Sequence, residues 1–411
     1  MGWRRRYGED GDGRPCAPGW GVDNRCNRHS LPTFPTPMAR FRRQTPRTTL
    51  TTTIQRLEKR TFEEDDSVEL PPPDIIAYNE LRSCADLFRM YNDRILDIQP
   101  SFQREVVWNG PKQTRFIDSL VKQLPIPSMC FSLDYRSQKW QVIDGLQRMR
   151  SIIRFLAGEQ WRLSKLEDVD PALSGKPASL FLDRNSPLHQ YYSRIENLTL
   201  PITVIRCDYS KTSHTNYLFT IFHRLNTGAV SLNNQEIRNC IFSGPFNDLL
   251  GELNKNDLWL RINRAKAPGG DRFLKQELIL RFFAFHDQYD KYEGRLAKFL
   301  NDYMKENRFP REKFVNEKTN LFQRTVEIVY NALFGGRIPP KMTISVLEAT
   351  MVGVSLNLDS LEKRTSGAIK EMHQHLLTSE EFSEEKLKEG LAGKSRVLGR
   401  MSTARVVFAG P

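Results

Sequence analysis

Trp140-Gln-Val-Ile-Asp-Gly-Leu-Gln-Arg-Met-Arg150 is the stretch whose reading decides the fold. Its first four residues read as a strand. From there Met149, Ile152, Ile153 and Leu156 recur at helical spacing until Gly158 closes the run. Only Asp144-Gly145 separates the two patterns. Asp is a favoured N-cap and Gly permits a tight turn, so strand passes to helix with almost no loop. Arg148 and Arg150 then fall in or near the first helical turn, where the helix dipole disfavours cations. An anion there would reverse that cost, because helix N–H groups and guanidinium groups would both point at it. Two readings stand: a phosphate site over residues 144–150, or an ordinary cap and turn with surface arginines.

Working outward, 411 residues suffice for two or three domains with a sizeable core. The chain is 39% hydrophobic and 27% charged, ordinary for a soluble protein, and no run nears the roughly 18 apolar residues of a membrane span. No apolar segment follows the basic start, so no secretory signal is read. Met38, ahead of Ala-Arg-Phe-Arg-Arg, is an alternative expected start. Six cysteines without a CxxC pair suggest neither a zinc site nor a disulfide framework, which points to reduced thiols and a cytoplasmic location.

The net charge of +12 is unevenly placed. Residues 1–60 hold 13 Lys and Arg against 5 Asp and Glu, and the rest of the chain is nearly balanced, 48 against 44. The basic excess therefore belongs to a leader rich in Arg, Pro, Gly and Thr, expected to be disordered with its spacer over residues 1–74. Such a leader suits either nonspecific polyanion binding or plain solvation.

From Ile75 onward the expected order is a helix over 85–91 capped by Ser83, a strand over 95–98 and an extended polar loop to Trp108. A helix then opens at Asn109-Gly-Pro111. Residues 129–133 and 139–143 form a hairpin around a five-residue loop, 161–200 is irregular, and 201–206 is a strand. A helix over 212–225 leads through a polar turn to another capped by Ser231. Beyond Phe242 the helical patterns 246–253, 273–289, 295–306, 312–333 and 343–356 follow without a comparable strand. The fold class is α+β: a small mixed-sheet domain, 75–241, followed by an all-α extension, 242–411.

Three polar clusters interrupt regular segments: Gln103-Arg104, residues 144–148, and residues 224–228 with Glu236. Each pairs guanidinium with amide or carboxylate, a mixture suited to a polyphosphate and magnesium. A buried ion-pair network joining loops would use the same residues, and both readings stand.

Five motifs now fall in order: Pro100-Ser-Phe-Gln-Arg-Glu-Val-Val-Trp108, Phe116-Ile-Asp-Ser-Leu120 with Pro125-Ile-Pro127, Val142-Ile-Asp-Gly-Leu-Gln-Arg148, Phe222-His-Arg-Leu-Asn-Thr-Gly228, and Leu232-Asn-Asn-Gln-Glu-Ile-Arg238. Glu277-Leu-Ile-Leu-Arg-Phe-Phe283 and Phe299-Leu-Asn-Asp-Tyr303 extend the pattern. The chain resembles the N-terminal domain of the GmrS–GmrD modification-dependent restriction enzymes, with a ParB/sulfiredoxin-like fold.

The resemblance implies a nucleotide-binding, often nucleotide-hydrolysing domain with an Asp-Gly-Gln-Gln-Arg signature. Asp144, Gly145, Gln147 and Arg148 match it, and Leu146 replaces the first Gln. Gln103 and Arg104 match the early Gln-Arg pair, and Arg224, Asn226 and Thr227 a second loop of the site. Asp144 and Glu236 are the implied catalytic carboxylates, and Glu236 the implied magnesium ligand. The implied cofactor is a nucleoside triphosphate with magnesium. Sulfiredoxin chemistry needs a thiol at Leu146 and is not expected. An HNH nuclease needs clustered His around a metal. His373 and His375, i and i+2 on a helical pattern, are expected to be solvated, so cleavage is expected to need a separate nuclease subunit.

The resulting expectation is a sensor or regulatory protein of a prokaryotic restriction or anti-phage system. The alternative is a non-catalytic DNA-binding or adaptor module.

Overall fold

The computed structural model describes residues 71–98, 108–225, 233–264, 273–387 and 390–410. All lie within the compact unit 46–411. The expected leader is outside the described residues up to residue 70, as are Gln103, Arg104, Asn226 and Thr227.

Five strands form one mixed sheet: β1 (Ile76–Ser83), β2 (Leu96–Asp97), β3 (Met129–Asp134), β4 (Lys139–Asp144) and β5 (Thr199–Cys207), in the order β1-β5-β3-β4-β2. Strands β3 and β5 pair in parallel, as do β2 and β4, while β1–β5 and β3–β4 are antiparallel. The first helices are α1 (Cys84–Asn92), α2 (Gly110–Val121) and α3 (Leu146–Leu156). Ser83 caps α1 by accepting from the Asp86 N–H, and Asn109 caps α2 with Pro111 in its first turn, as the sequence indicates.

Three expectations are corrected. Ile76–Ser83 is a strand that the sequence reading left out. Residues 161–200 are not simply irregular, because they carry α4 (Ser179–Leu182) and α5 (His189–Glu196). The hairpin loop is one residue shorter, since Asp134 pairs with Lys139 and its Oδ2 accepts from the Ser137 hydroxyl at 2.5 Å.

Strand alternation gives the sheet two buried faces. Met129, Phe131, Leu133, Trp140, Val142, Ile202 and Val204 share a core with α1, α2 and α3. On the opposite face, Cys130, Ile143, Ile205 and Cys207 share a core with α6 (Thr212–Leu225) and α7 (Asn234–Ile241). That second core continues into the rest of the chain. It takes in α8 (Pro245–Leu253), α9 (Asp257–Ile262), α10 (Leu274–Gln288), α11 (Leu296–Glu306) and α12 (Glu312–Glu327), the last running into a π-helical segment, Ile328–Leu333. After these come α13 (Ile344–Ser355), α14 (Leu358–Leu361), α15 (Ser366–Thr378) and α16 (Lys394–Ala409). The α+β class with a helical extension is observed, and one apolar core joins the sheet to that extension.

His373 departs from expectation. It is buried on α15 beside Phe334, with ring centroids 6.0 Å apart, and burial pushes its imidazole down to about 4. Spacing on the helix excluded a shared face with His375 but said nothing of which face meets the core.

Candidate functional site

At the β4–α3 junction the register between β3 and β4 slips by one residue. Phe131 faces Val142 and Cys130 faces Asp144, so Ile143 is the extra residue of a β-bulge. Bulges re-aim side chains at sheet ends. Here the bulge turns Asp144 to the same side of the sheet as Cys130. Burial and, second, the Asp144 charge push the Cys130 thiol up to about 12, so it is no nucleophile at neutral pH.

Gly145, not Asp144, is the N-cap of α3. It is left-handed, with φ at 97°, and no side chain caps the helix. A Cβ there would lie 2.6 Å from Cγ of the buried Met129, so only glycine fits both the conformation and the space. Asp144 is therefore not spent on capping. Its Oδ2 accepts from Arg148 Nη2 at 2.8 Å, and its Oδ1 makes no hydrogen bond among the described residues. The other donations of Arg148 go to the main chain: Nη1 to the carbonyl of Pro127 and Nη2 to that of Ser128, at 3.4 Å. The guanidinium thus ties the start of α3 to the segment entering β3. It is half-buried, and desolvation pulls it below the usual arginine range.

Gln147 faces another way. Its Oε1 accepts a long hydrogen bond, 3.5 Å, from the Trp108 N–H, while the Trp108 carbonyl accepts from Gln113 Nε2 at 3.0 Å. Gln113 Oε1 in turn accepts from Arg154 on α3 at 3.0 Å. Gln147 therefore holds the residue at which the chain re-enters α2. Leu146 packs against the α1–α3 core with Met149 and Ile153, as its place on the apolar side implies.

The remaining expected residues stand on the helices over the other sheet face. Arg224 is in the last turn of α6. Glu236 is buried on α7, whose N-cap is Asn233 and not Ser231. The Glu236 carboxylate accepts from the Asn233 N–H at 2.8 Å while the Asn233 side chain accepts from the Glu236 N–H, a capping box. Ile237 and Cys240 of that helix enter the same core as Cys130 and Ile143. The structure joins Asp144 directly to Arg148 and places Gln147 on the neighbouring loop end.

Three of the sequence motifs meet in a buried polar network. Arg238 Nη1 donates to Glu277 Oε2 at 2.9 Å and its Nε to Asn301 Oδ1 at 2.9 Å. Arg281 donates to Glu277 Oε1 at 3.2 Å and to Glu348 Oε1 at 3.4 Å. Arg238, Glu277 and Arg281 lie outside the three polar clusters of the sequence and form a buried ion-pair network of their own.

Among the described residues, no helix is long and apolar enough to cross a membrane, and no group of three or more His, Cys, Asp or Glu is arranged to hold a metal ion. Four cysteines, Cys84, Cys130, Cys207 and Cys240, are free and buried.

A mixed sheet with helices on both faces, a bulged strand end and an uncapped helix start define an α+β domain with a polar site at one sheet end. Residues 84–243 match the family model described as GmrSD restriction endonuclease, N-terminal domain. The match covers that segment, less than half of the chain, and supports a restriction- or defence-related protein. No curated protein and no solved structure matches the chain.

Proposed function

We propose that the β4–α3 junction binds a nucleoside triphosphate, and that the protein is the sensing or regulatory partner of a separate nuclease in a prokaryotic restriction system. The open N-terminus of α3 carries this reading. The first-turn N–H groups lack a side-chain cap, and such groups form a ready-made anion site. Arg148 stands in the same turn, and a phosphoryl group would compete with Asp144 for its guanidinium, a planar fork suited to phosphoryl oxygens. Gln103 and Arg104, between Ile98 and the anchored Trp108, and Arg224, Asn226 and Thr227 are the further residues the motif assigns to this site.

Magnesium fits through Asp144. Magnesium is held by one or two carboxylates together with substrate phosphates, and Asp144 offers a half-exposed carboxylate with Oδ1 unengaged. Glu236 is the poorer candidate, since it is 6% exposed and closes a capping box. A magnesium-bound triphosphate would bring charge neutralisation; the chain brings the helix start, the guanidinium and the carboxylate that orient it. Hydrolysis is a further step of the same proposal.

The test is equilibrium binding of labelled ATP, GTP and CTP to the purified protein with magnesium. Retention of at least one, weakened in Arg148→Gln, is expected. Failure of all three to bind overturns the reading. The alternative of a DNA-binding or adaptor module predicts DNA affinity indifferent to Arg148→Gln and lost on removing residues 1–60, where most of the positive excess lies.

A further inference from the structure

A cleft of about 1040 Å³ opens near the other end of β4, bounded by the β3–β4 turn, by β2 and by the chain leaving α11. Lys139 lines it, and five residue steps of extended strand separate Lys139 from Asp144, about 16 Å at the usual rise. The cleft is therefore distinct from the β4–α3 junction. Its volume lies near the upper end of the roughly 300–1,000 Å³ range of small-molecule sites.

Its lining carries five cations, Arg94, Arg136, Lys139, Lys305 and Arg308, against two carboxylates, Asp97 and Asp134. The cations differ in how they are held. Arg136 is neutralised by Asp208 at 2.9 Å. Lys305 and Arg308 have only neutral acceptors among the described residues. Lys305 Nζ donates to the Thr212 hydroxyl at 2.6 Å, and Arg308 Nε to the Ser243 carbonyl at 2.8 Å. Desolvation pulls both below their usual ranges and outweighs the more distant carboxylates, Asp302 and Asp208 for Lys305 and Asp134 for Arg308, none of which pairs with them directly among the described residues. A half-buried cation in that state is stabilised by an incoming anion.

An aromatic plate adjoins them. Phe309 is 73% exposed, and the Arg308 guanidinium carbon lies 5.1 Å from its ring centre. Beneath, the cleft floor is rigid. Tyr209 donates its hydroxyl proton to Gln141 Oε1 at 2.8 Å, its oxygen lies 2.6 Å from the Ser132 hydroxyl, and Gln141 Nε2 donates to the Cys240 carbonyl at 3.2 Å. Dehydrated cations beside an exposed ring, over a preorganised floor, match a ligand with a phosphate and a flat base.

We infer that this cleft binds a nucleotide unit, with its phosphate on Lys305 and Arg308 and its base against Phe309. The unit is either a free mononucleotide or one residue of a single strand. The inference does not rest on the proposed β4–α3 site, and the variants separate the two.

The experiment is fluorescence anisotropy on the full chain with two probes, a fluorescent adenosine monophosphate and a fluorescein-labelled eight-nucleotide thymidine strand, each at 50 and 200 mM salt. Phe309→Ala is expected to weaken binding of at least one probe by about fivefold or more, in line with base–aromatic stacking. Lys305→Ala with Arg308→Ala is expected to weaken the same probe by about tenfold or more and to flatten its salt dependence. Arg148→Gln is expected to leave that component in place. A response of the mononucleotide alone assigns a free ligand, and of the strand alone a nucleic-acid one; either supports the inference. Phe309 is so exposed that its replacement leaves folding intact, which an unchanged melting temperature verifies. If neither probe binds, or if binding of both is unchanged in Phe309→Ala and in the Lys305/Arg308 double variant, the inference is wrong.

Discussion

Arg238 and Glu277 stand 2.9 Å apart inside the protein and join α7, the helix that follows the second polar loop, to α10 of the extension. Glu277 also receives Arg281, which reaches on to Glu348, so the carboxylate lies between two buried guanidinium groups. Removing one member of such a network leaves charge in a low-dielectric interior, at a cost of about 3–5 kcal/mol. Glu277→Ala is therefore expected to lower unfolding free energy by that amount in urea titration. A loss under about 1 kcal/mol would show that the network is not strongly coupled.

Gly145 makes a conformational prediction. Its φ of 97° and the nearness of Met129 mean that Gly145→Ala must strain the backbone and displace a buried side chain. The expected cost is roughly 1–3 kcal/mol, read as a lowered melting temperature. Full retention of stability would show that the junction can relax into another turn.

Asp144 and Arg148 predict opposite effects of metal. Asp144→Asn removes the carboxylate that occupies Arg148, so affinity for metal-free triphosphate is expected to hold or rise while the gain on adding magnesium disappears. Arg148→Lys keeps the charge and loses the planar fork, and a charge-assisted hydrogen bond of about 1.5–3 kcal/mol corresponds to roughly a 10- to 150-fold drop in affinity. Calorimetric titration with and without magnesium reads both. Equal magnesium response in Asp144→Asn and the parent protein would remove Asp144 from the metal's surroundings.

His373 predicts the pH dependence of stability. Burial pushes the ring down to about 4, and its Nε2 has no hydrogen-bond partner among the described residues. An imidazole in the unfolded chain titrates near about 6.5. Between those values the unfolded chain holds more protons, so stability falls as pH drops from about 6.5 toward 4 and levels below that. The contribution reaches about 3 kcal/mol at most. Denaturation profiles of parent and His373→Leu should differ by this slope; parallel profiles over that window would contradict it.

The sequence showed most of the helices because their signals are local. Thr343 caps α13 by accepting from the Val346 N–H, and the apolar periods of α8, α10 and α11 run nearly to their observed ends. Strand β1 escaped because it is an edge strand with largely exposed residues, Leu81 at 69% among them, and only pairing with β5 makes it extended. The cap of α3 was assigned one residue early because a bulge is a property of two strands, and Asp144 looks like a cap until Cys130 is seen opposite it. The cap of α7 is expected at Ser231, although Asn233 three residues before Glu236 is the capping-box pattern that would place it. The cleft was not legible, since Arg94, Arg136 and Arg308 come together only through the sheet and α11.

The shared core beneath β3, β4 and β5 has a practical meaning for anyone cutting this protein into pieces. The segment that matches the family model spans 84–243, yet β1 lies ahead of it and much of the core shared by Phe222, Ile237 and Ile241 lies beyond it. A fragment ending at 243 would keep α6 and α7 on the sheet but present their outward apolar side chains to water. The boundary of the matched segment is thus not a boundary of the core, and the helices past 243 act as the missing wall of the domain that precedes them.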